Sequence, residues 1–156
     1  MKHKFRLAQW LALGVPALLL GGAYLSQYGF GLFPCEMCWW QRYAHFVALA
    51  LALVSFAVPP KSLWVALAAL AVLASGIIGG FHAGVEYGWW EGLTACASSV
   101  DSSSGDPLSA IMNAPLIRCD VAPWTLAGIS LAGFNAMISS ISALAILVLL
   151  AKARRA

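Results

Sequence analysis

The sequence predicts an all-α, polytopic membrane protein: a bundle of four transmembrane helices with both termini cytoplasmic and a long external loop between helices three and four. Three observations predict it. The 156 residues are 62% hydrophobic and only 10% charged, with mean hydropathy +0.83, where a soluble domain carries about 25% charged residues. Four apolar runs are each long enough to cross a hydrocarbon core of about 30 Å as a helix. The basic residues gather at one set of span ends. At this length there is room for one domain, residues 1–156.

Lys2, Lys4 and Arg6 precede the first run, residues 7–25. Gly21-Gly22-Ala23 could serve a signal peptidase, but a signal h-region is usually about 7–15 residues and this run is longer, so it is read as a retained span. A loop over 26–38, with Gly29 and Gly31 as turn formers, leads to Pro34. The second span, 39–58, ends at Pro59-Pro60-Lys61, which a helix does not continue through easily. The third, 63–81, closes on Gly76 and Gly80, a spacing that signals close helix packing.

The one long polar segment, 82–123, holds Cys96, Cys119, a Ser-rich turn at 101–107 and a short helix expected over 108–114. The fourth span, 124–151, carries no charge and is longer than a crossing needs, so tilt is expected. Lys152, Arg154 and Arg155 follow it.

With four spans the termini share a side with the turn at 59–62. That side holds seven of the nine basic residues, while the other holds Arg42, Arg118 and all six acids. Basic residues mark the cytoplasmic face, so all four cysteines face outward. The seven tryptophans fall near span ends, as an interfacial belt requires. Nucleic-acid binding is excluded as a reading, because the basic residues form no aromatic-interleaved patch.

The chemistry centres on Pro34-Cys35-Glu36-Met37-Cys38-Trp39-Trp40-Gln41-Arg42. A Cys-x-x-Cys pair can serve haem attachment, zinc or dithiol redox chemistry. Haem attachment needs His after the second cysteine, and Trp39 stands there. Zinc needs two more ligands, and Cys96 and Cys119 do not form a second close pair, so no metal is expected. Redox chemistry leads, since this spacing allows strongly depressed thiol pKa values. The competing reading is structural: two staples, Cys35–Cys38 and Cys96–Cys119, in an oxidising compartment. It is weaker for Cys35–Cys38, whose closure gains little entropy.

Two dithiol pairs suggest relayed exchange, in which a thiolate attacks a disulfide through a mixed disulfide. A relay needs a final acceptor, and the sequence has no dinucleotide fingerprint, P-loop or haem motif. A membrane-dissolved quinone needs none. Arg42 lies four residues after Cys38, on the same helix face. A guanidinium there favours the Cys38 thiolate and negative charge on a quinone oxygen, although snorkelling to the headgroups is its default role. His45 continues that face; a lone His in a span more often packs against or bonds to a neighbouring helix, and a pocket wall is the most it is read as.

The chain resembles the disulfide bond formation protein B family, the bacterial inner-membrane thiol:quinone oxidoreductases. The matching residues are Leu32-Phe33-Pro34-Cys35-Glu36-Met37-Cys38 with Gln41-Arg42; His82-Ala83-Gly84-Val85-Glu86 with Trp90 and Cys96; and Cys119-Asp120 with Trp124, Gly128, Ser130 and Asn135. The resemblance implies that Cys96 and Cys119 form the disulfide that oxidises a periplasmic DsbA-like, thioredoxin-fold donor, with Cys96 making the mixed disulfide. Electrons then pass to Cys35–Cys38, and Cys38, beside Arg42, reduces a bound quinone, ubiquinone or menaquinone, from the membrane pool. It also implies that the loops 26–38 and 82–123 are periplasmic, and that His82 lies near the quinone. Glu86 is read as a solvated or capping acid and Asn135 as an interhelical hydrogen-bond partner.

Three rival readings compete with this one. In the vitamin K epoxide reductase-like family the Cys-x-x-Cys follows the loop pair on the last span, whereas here it precedes the second. A branch of the same family serving one dedicated client has no separate signature. A non-enzymatic membrane protein with two structural disulfides or an external metal site leaves the Cys38–Arg42 spacing unexplained.

Overall fold

The computed structural model describes residues 2–93 and 117–154. Cys96, the Ser-rich turn and the helix expected over 108–114 lie outside the described residues. Four long helices dominate: α1 (Lys2–Phe30), α2 (Glu36–Ala57), α3 (Lys61–Glu86) and α4 (Leu131–Arg154), with a small hairpin, β1 (Thr125–Leu126) and β2 (Ile129–Ser130), before the last. α3 packs most heavily, against α2 on one side and α4 on the other, and α1 closes the ring between α4 and α2. Short connections at 31–35 and 58–60 make successive helices antiparallel neighbours. Gly31, at φ 68°, ends α1 in the left-handed conformation that glycine accepts without a Cβ penalty.

The molecule is apolar outside and partly polar inside. Leu18, Leu25, Ile77 and Ile141 are exposed, whereas Gln9, Gln41, Arg42, His45, Ser55, Ser75, His82 and Ser139 are buried. In lipid this is the stable arrangement, because polar groups must find partners among neighbouring helices. α1, α3 and α4 are each long and apolar enough to cross a membrane. α2 is the exception to the four-span expectation, since Gln41, Arg42 and His45 interrupt its first half. Those three residues belong to the site described below.

The core changes along the bundle. At the end holding the termini, Ala8, Ala12, Ala52, Val65, Ala68, Ala69, Ile146 and Leu150 pack together, with Gln9 donating to the carbonyl and hydroxyl of Ser55. At the opposite end Cys35, Met37 and Val85 form a separate cluster that also touches Cys38, Phe81, Ile117 and Cys119. Between them, α3 and α4 approach closely. A Cβ at position 79 would lie 3.0 Å from the Ala132 carbonyl, Asn135 Nδ2 and Gln41 Oε1, and one at position 76 would lie 2.6 Å from Ser140 Oγ. The tight pair is therefore Gly76 and Gly79. Gly80, expected to serve this contact, meets nothing closer than Ala136 at 3.9 Å.

The last apolar run also differs from expectation, being helical only from Leu131. Thr125 pairs with Ser130 and Leu126 with Ile129, leaving Ala127 and Gly128 as a two-residue turn with φ of 51° and 78°. Positive φ at both central residues is the hairpin turn whose twist matches the strands. Tyr87, just past α3, fastens the hairpin: its hydroxyl donates to the Gly128 carbonyl and accepts from the Ser130 amide.

Candidate thiol redox site

The site begins where α2 begins. Cys35 is the residue that caps α2, and its sulfur accepts from the Cys38 amide at 3.3 Å. This capping geometry places the two sulfurs 3.0 Å apart, Cys35 donating to Cys38. Cys35, Cys38 and Cys119 are thiols, with no disulfide among the described residues. The hydrogen bond to Cys38, reinforced by burial, pushes the Cys35 thiol up to about 12. Cys38 lies ahead of the run 39–58 read as a span, and the same bond holds its pKa below the ordinary thiol value. Of the two thiols, Cys38, the one nearer Arg42 in the chain, gives up its proton the more readily.

α3 supplies the next partner. His82 is buried, with Nε2 3.5 Å from Cys35 Sγ and 3.7 Å from Glu86 Oε1. Glu86, expected to be solvated or to cap a helix, instead sits against His82, with Oε2 buried and unpartnered among the described residues. Cys119 arrives from the long loop. Cys35 Sγ, Cys119 Sγ and a ring nitrogen of His82 all lie within 4.8 Å of one another. Arg118 and Asp120, on either side of Cys119, form a two-pronged ion pair, which holds the Asp120 carboxyl below its usual range.

From His82 a chain of hydrogen bonds runs into the bundle. The side-chain amide of Gln41 lies 3.0 Å from His82 Nδ1, and its Oε1 accepts from Asn135 Nδ2 at 2.7 Å. Asn135 Oδ1 meets His45 Nε2 at 2.9 Å and accepts from the Ser139 hydroxyl. Ser75 closes the network, its hydroxyl donating to the Gln41 carbonyl. Asn135 thus bridges α2, α3 and α4, in keeping with its reading as an interhelical partner. His45 Nδ1 is left buried and unpartnered among the described residues.

Arg42 points the other way, toward α1. It is 6% exposed, so it does not reach out to headgroups. Its guanidinium donates to Gln27 Oε1 at 2.6 Å and to the Ala23 carbonyl at 3.0 Å, and lies over the rings of Tyr24 (4.9 Å) and Trp39 (5.0 Å). Such a cradle offsets much of the cost of burying a charge without a carboxylate. Gln27, Ala23 and Tyr24 gave no sequence signal, because only the fold brings α1 against α2.

Cys38, Gln41, Arg42, His45, His82 and Glu86 all line one cleft of about 260 Å³. Its remaining walls are mostly apolar, among them Leu19, Leu20, Phe33, Leu131 and Phe134. An apolar slot with a few convergent polar groups is the usual form of a small-molecule site. The chemistry of the lining is of the kind a quinone head would need: apolar walls, with Arg42 and a His45 Nδ1 that is buried and unpartnered among the described residues as polar groups. Of the six residues expected at the site, Cys38, Arg42 and His82 line this cleft, Cys35 and Cys119 lie beside His82, and Cys96 lies outside the described residues.

A family model, "Disulfide bond formation protein DsbB", matches residues 5–149. A "Disulfide bond formation protein B" of Verminephrobacter eiseniae (strain EF01-2) is 32% identical, covering 96% of this chain and 88% of the relative. An "Uncharacterized protein RP370" of Rickettsia prowazekii (strain Madrid E) is 20% identical, over 88% of this chain and 83% of its own. No solved structure matches the chain. A family model over nearly the whole length and a relative at that identity and coverage are decisive: the chain belongs to the DsbB family of membrane proteins, whose name ties it to disulfide-bond formation.

Proposed function

We propose that the protein is a thiol:quinone oxidoreductase that reoxidises a periplasmic, thioredoxin-fold dithiol donor of the DsbA kind. In this reading all four helices cross the inner membrane, the termini are cytoplasmic and the thiols face the periplasm. The observation that carries the reading is one cleft bordered by Cys38, Arg42 and His82, with Cys119 beside Cys35.

The donor's thiolate attacks the Cys96–Cys119 disulfide, forming a mixed disulfide at Cys96 and releasing Cys119 as thiolate. When the donor's second thiol displaces Cys96, the donor leaves oxidised and the loop pair is left as a dithiol. Cys119, within 4.8 Å of Cys35 Sγ, then attacks the Cys35–Cys38 disulfide at Cys35, and Cys38 leaves as thiolate. Cys96 displaces Cys35 from that bridge, which restores the loop disulfide and leaves Cys35 and Cys38 reduced. A quinone, when bound, supplies the sink for two electrons and two protons. Arg42 places fixed positive charge at the cleft, His82 and Cys35 hold protons beside it, and the apolar walls exclude water.

The test is turnover in detergent with a reduced thioredoxin-fold donor and a water-soluble quinone analogue, followed by quinone absorbance. Wild type should turn over, and Cys38→Ser and Cys96→Ser should each abolish it. No quinone reduction with any thiol donor, together with cysteines inert to mild reductant, would return the structural-disulfide reading.

A further inference from the structure

Sequence spacing argues against zinc, because no two close cysteine pairs exist to form a ribbon. The fold supplies what the spacing lacks. Cys35 from the start of α2, His82 from α3 and Cys119 from the loop present two sulfurs and one imidazole nitrogen within 4.8 Å of one another. Zinc bonds of about 2.3 Å to sulfur and about 2.0 Å to nitrogen put tetrahedral ligands about 3.5 Å apart. Cys35 Sγ and His82 Nε2 are 3.5 Å apart.

We propose that the reduced site binds a thiophilic divalent cation of the zinc class through Cys35, His82 and Cys119. A working metal site needs more than ligands, and the surroundings provide it. A hydrogen bond between the Gln41 side-chain amide and His82 Nδ1 holds the ring with Nε2 toward Cys35. Glu86 brings a carboxylate to within 3.7 Å of His82 Nε2, with one buried oxygen lacking a partner among the described residues, and its charge favours a cation. A second cleft of about 440 Å³, bordered by Gly31, Phe33, Cys35, His82, Ile117 and Val121, gives access to the ligand atoms.

The chemistry is acid–base only. Two thiols lose their protons to solvent as two sulfur–metal bonds form, and no electron moves. A disulfide at Cys35 or Cys119 removes a ligand, so metal binding and oxidation exclude each other. A bound cation would hold the protein reduced and out of the thiol relay.

The probe is cobalt(II), followed by thiolate-to-metal charge-transfer absorbance and displaced by zinc, added to the full chain in detergent after reduction and removal of reductant. Reduced wild type should take up one equivalent, and the disulfide-oxidised protein none. Cys119→Ser, a loop change that leaves the helices intact, and His82→Ala should each weaken binding at least about ten-fold, while Cys38→Ser should retain it. Melting temperatures without metal show which variants are folded. No uptake by reduced wild type would overturn the proposal. So would binding lost in Cys38→Ser but unchanged in Cys119→Ser, which would mean chelation by the Cys-x-x-Cys pair alone. No quinone or thiol donor is present, so failure here leaves the oxidoreductase reading standing, and the reverse.

Discussion

Cys35 and Cys38 differ in chemistry although two residues apart. With its thiol pushed up to about 12, Cys35 stays protonated across the physiological range, while the lowered value at Cys38 gives thiolate at lower pH than an ordinary cysteine. Limited alkylation of the reduced protein near pH 7, read by peptide mass spectrometry, should therefore label Cys38 well before Cys35. Equal labelling, or Cys35 first, would contradict the assignment. Asn135 is the other residue with a sharp consequence. Replacing its amide by Asn135→Leu strands Gln41 Oε1 and leaves Ser139 Oγ and His45 Nε2 only each other, 3.5 Å apart. Buried unsatisfied groups cost about 1–3 kcal/mol each, so the melting temperature in detergent should fall clearly. An unchanged melt would show that the network is not a structural support. The motif Cys35 to Arg42 was legible in sequence because its parts are neighbours in the chain. The burial of Glu86 and the cradle of Arg42 were not, because both depend on which helix lies opposite.

At the scale of elements, α3 is the wall on which the site is built, and its glycines set the spacing. Gly79→Ala should push Gln41 and Asn135 apart and lower the melting temperature, whereas Gly80→Ala, with its nearest neighbour at 3.9 Å, should be close to neutral. If the two behave alike, the assignment of the packing face is wrong. The sequence pointed to Gly76 and Gly80 by spacing, and the helix phase selected Gly79 in place of Gly80. The hairpin before α4 was illegible for a different reason. Residues 124–130 continue an apolar run without a charge, so only Gly128 marked the turn, and a single glycine inside an apolar run does not decide between helix and hairpin. Residues 39–58 were legible as one apolar stretch, yet the polar groups inside it make α2 the carrier of the site.

For the whole molecule, polarity is turned inward and charge is sorted by end. Composition pointed to a membrane and the positions of the basic residues to the sorting of charge, which is why a membrane bundle could be read before any contact was known. The charge asymmetry makes a topological prediction: alkaline phosphatase fused after Arg155 should be inactive, and the same enzyme inserted within 98–106 active. The reverse pattern would place the thiols in the cytoplasm and remove the donor from reach. The thiol relay is proposed to end at the cleft that Cys38 and Arg42 both line. Its most direct test is a rapid-mixing, single-turnover comparison of wild type with Arg42→Ala, following quinone absorbance and, in parallel, exchange between the two cysteine pairs by acid-quenched thiol trapping. Quinone reduction should slow far more than exchange does, because Arg42 serves the cleft and not the loop. If both steps fall equally, or neither does, Arg42 has no role at the acceptor and the site has been wrongly assigned.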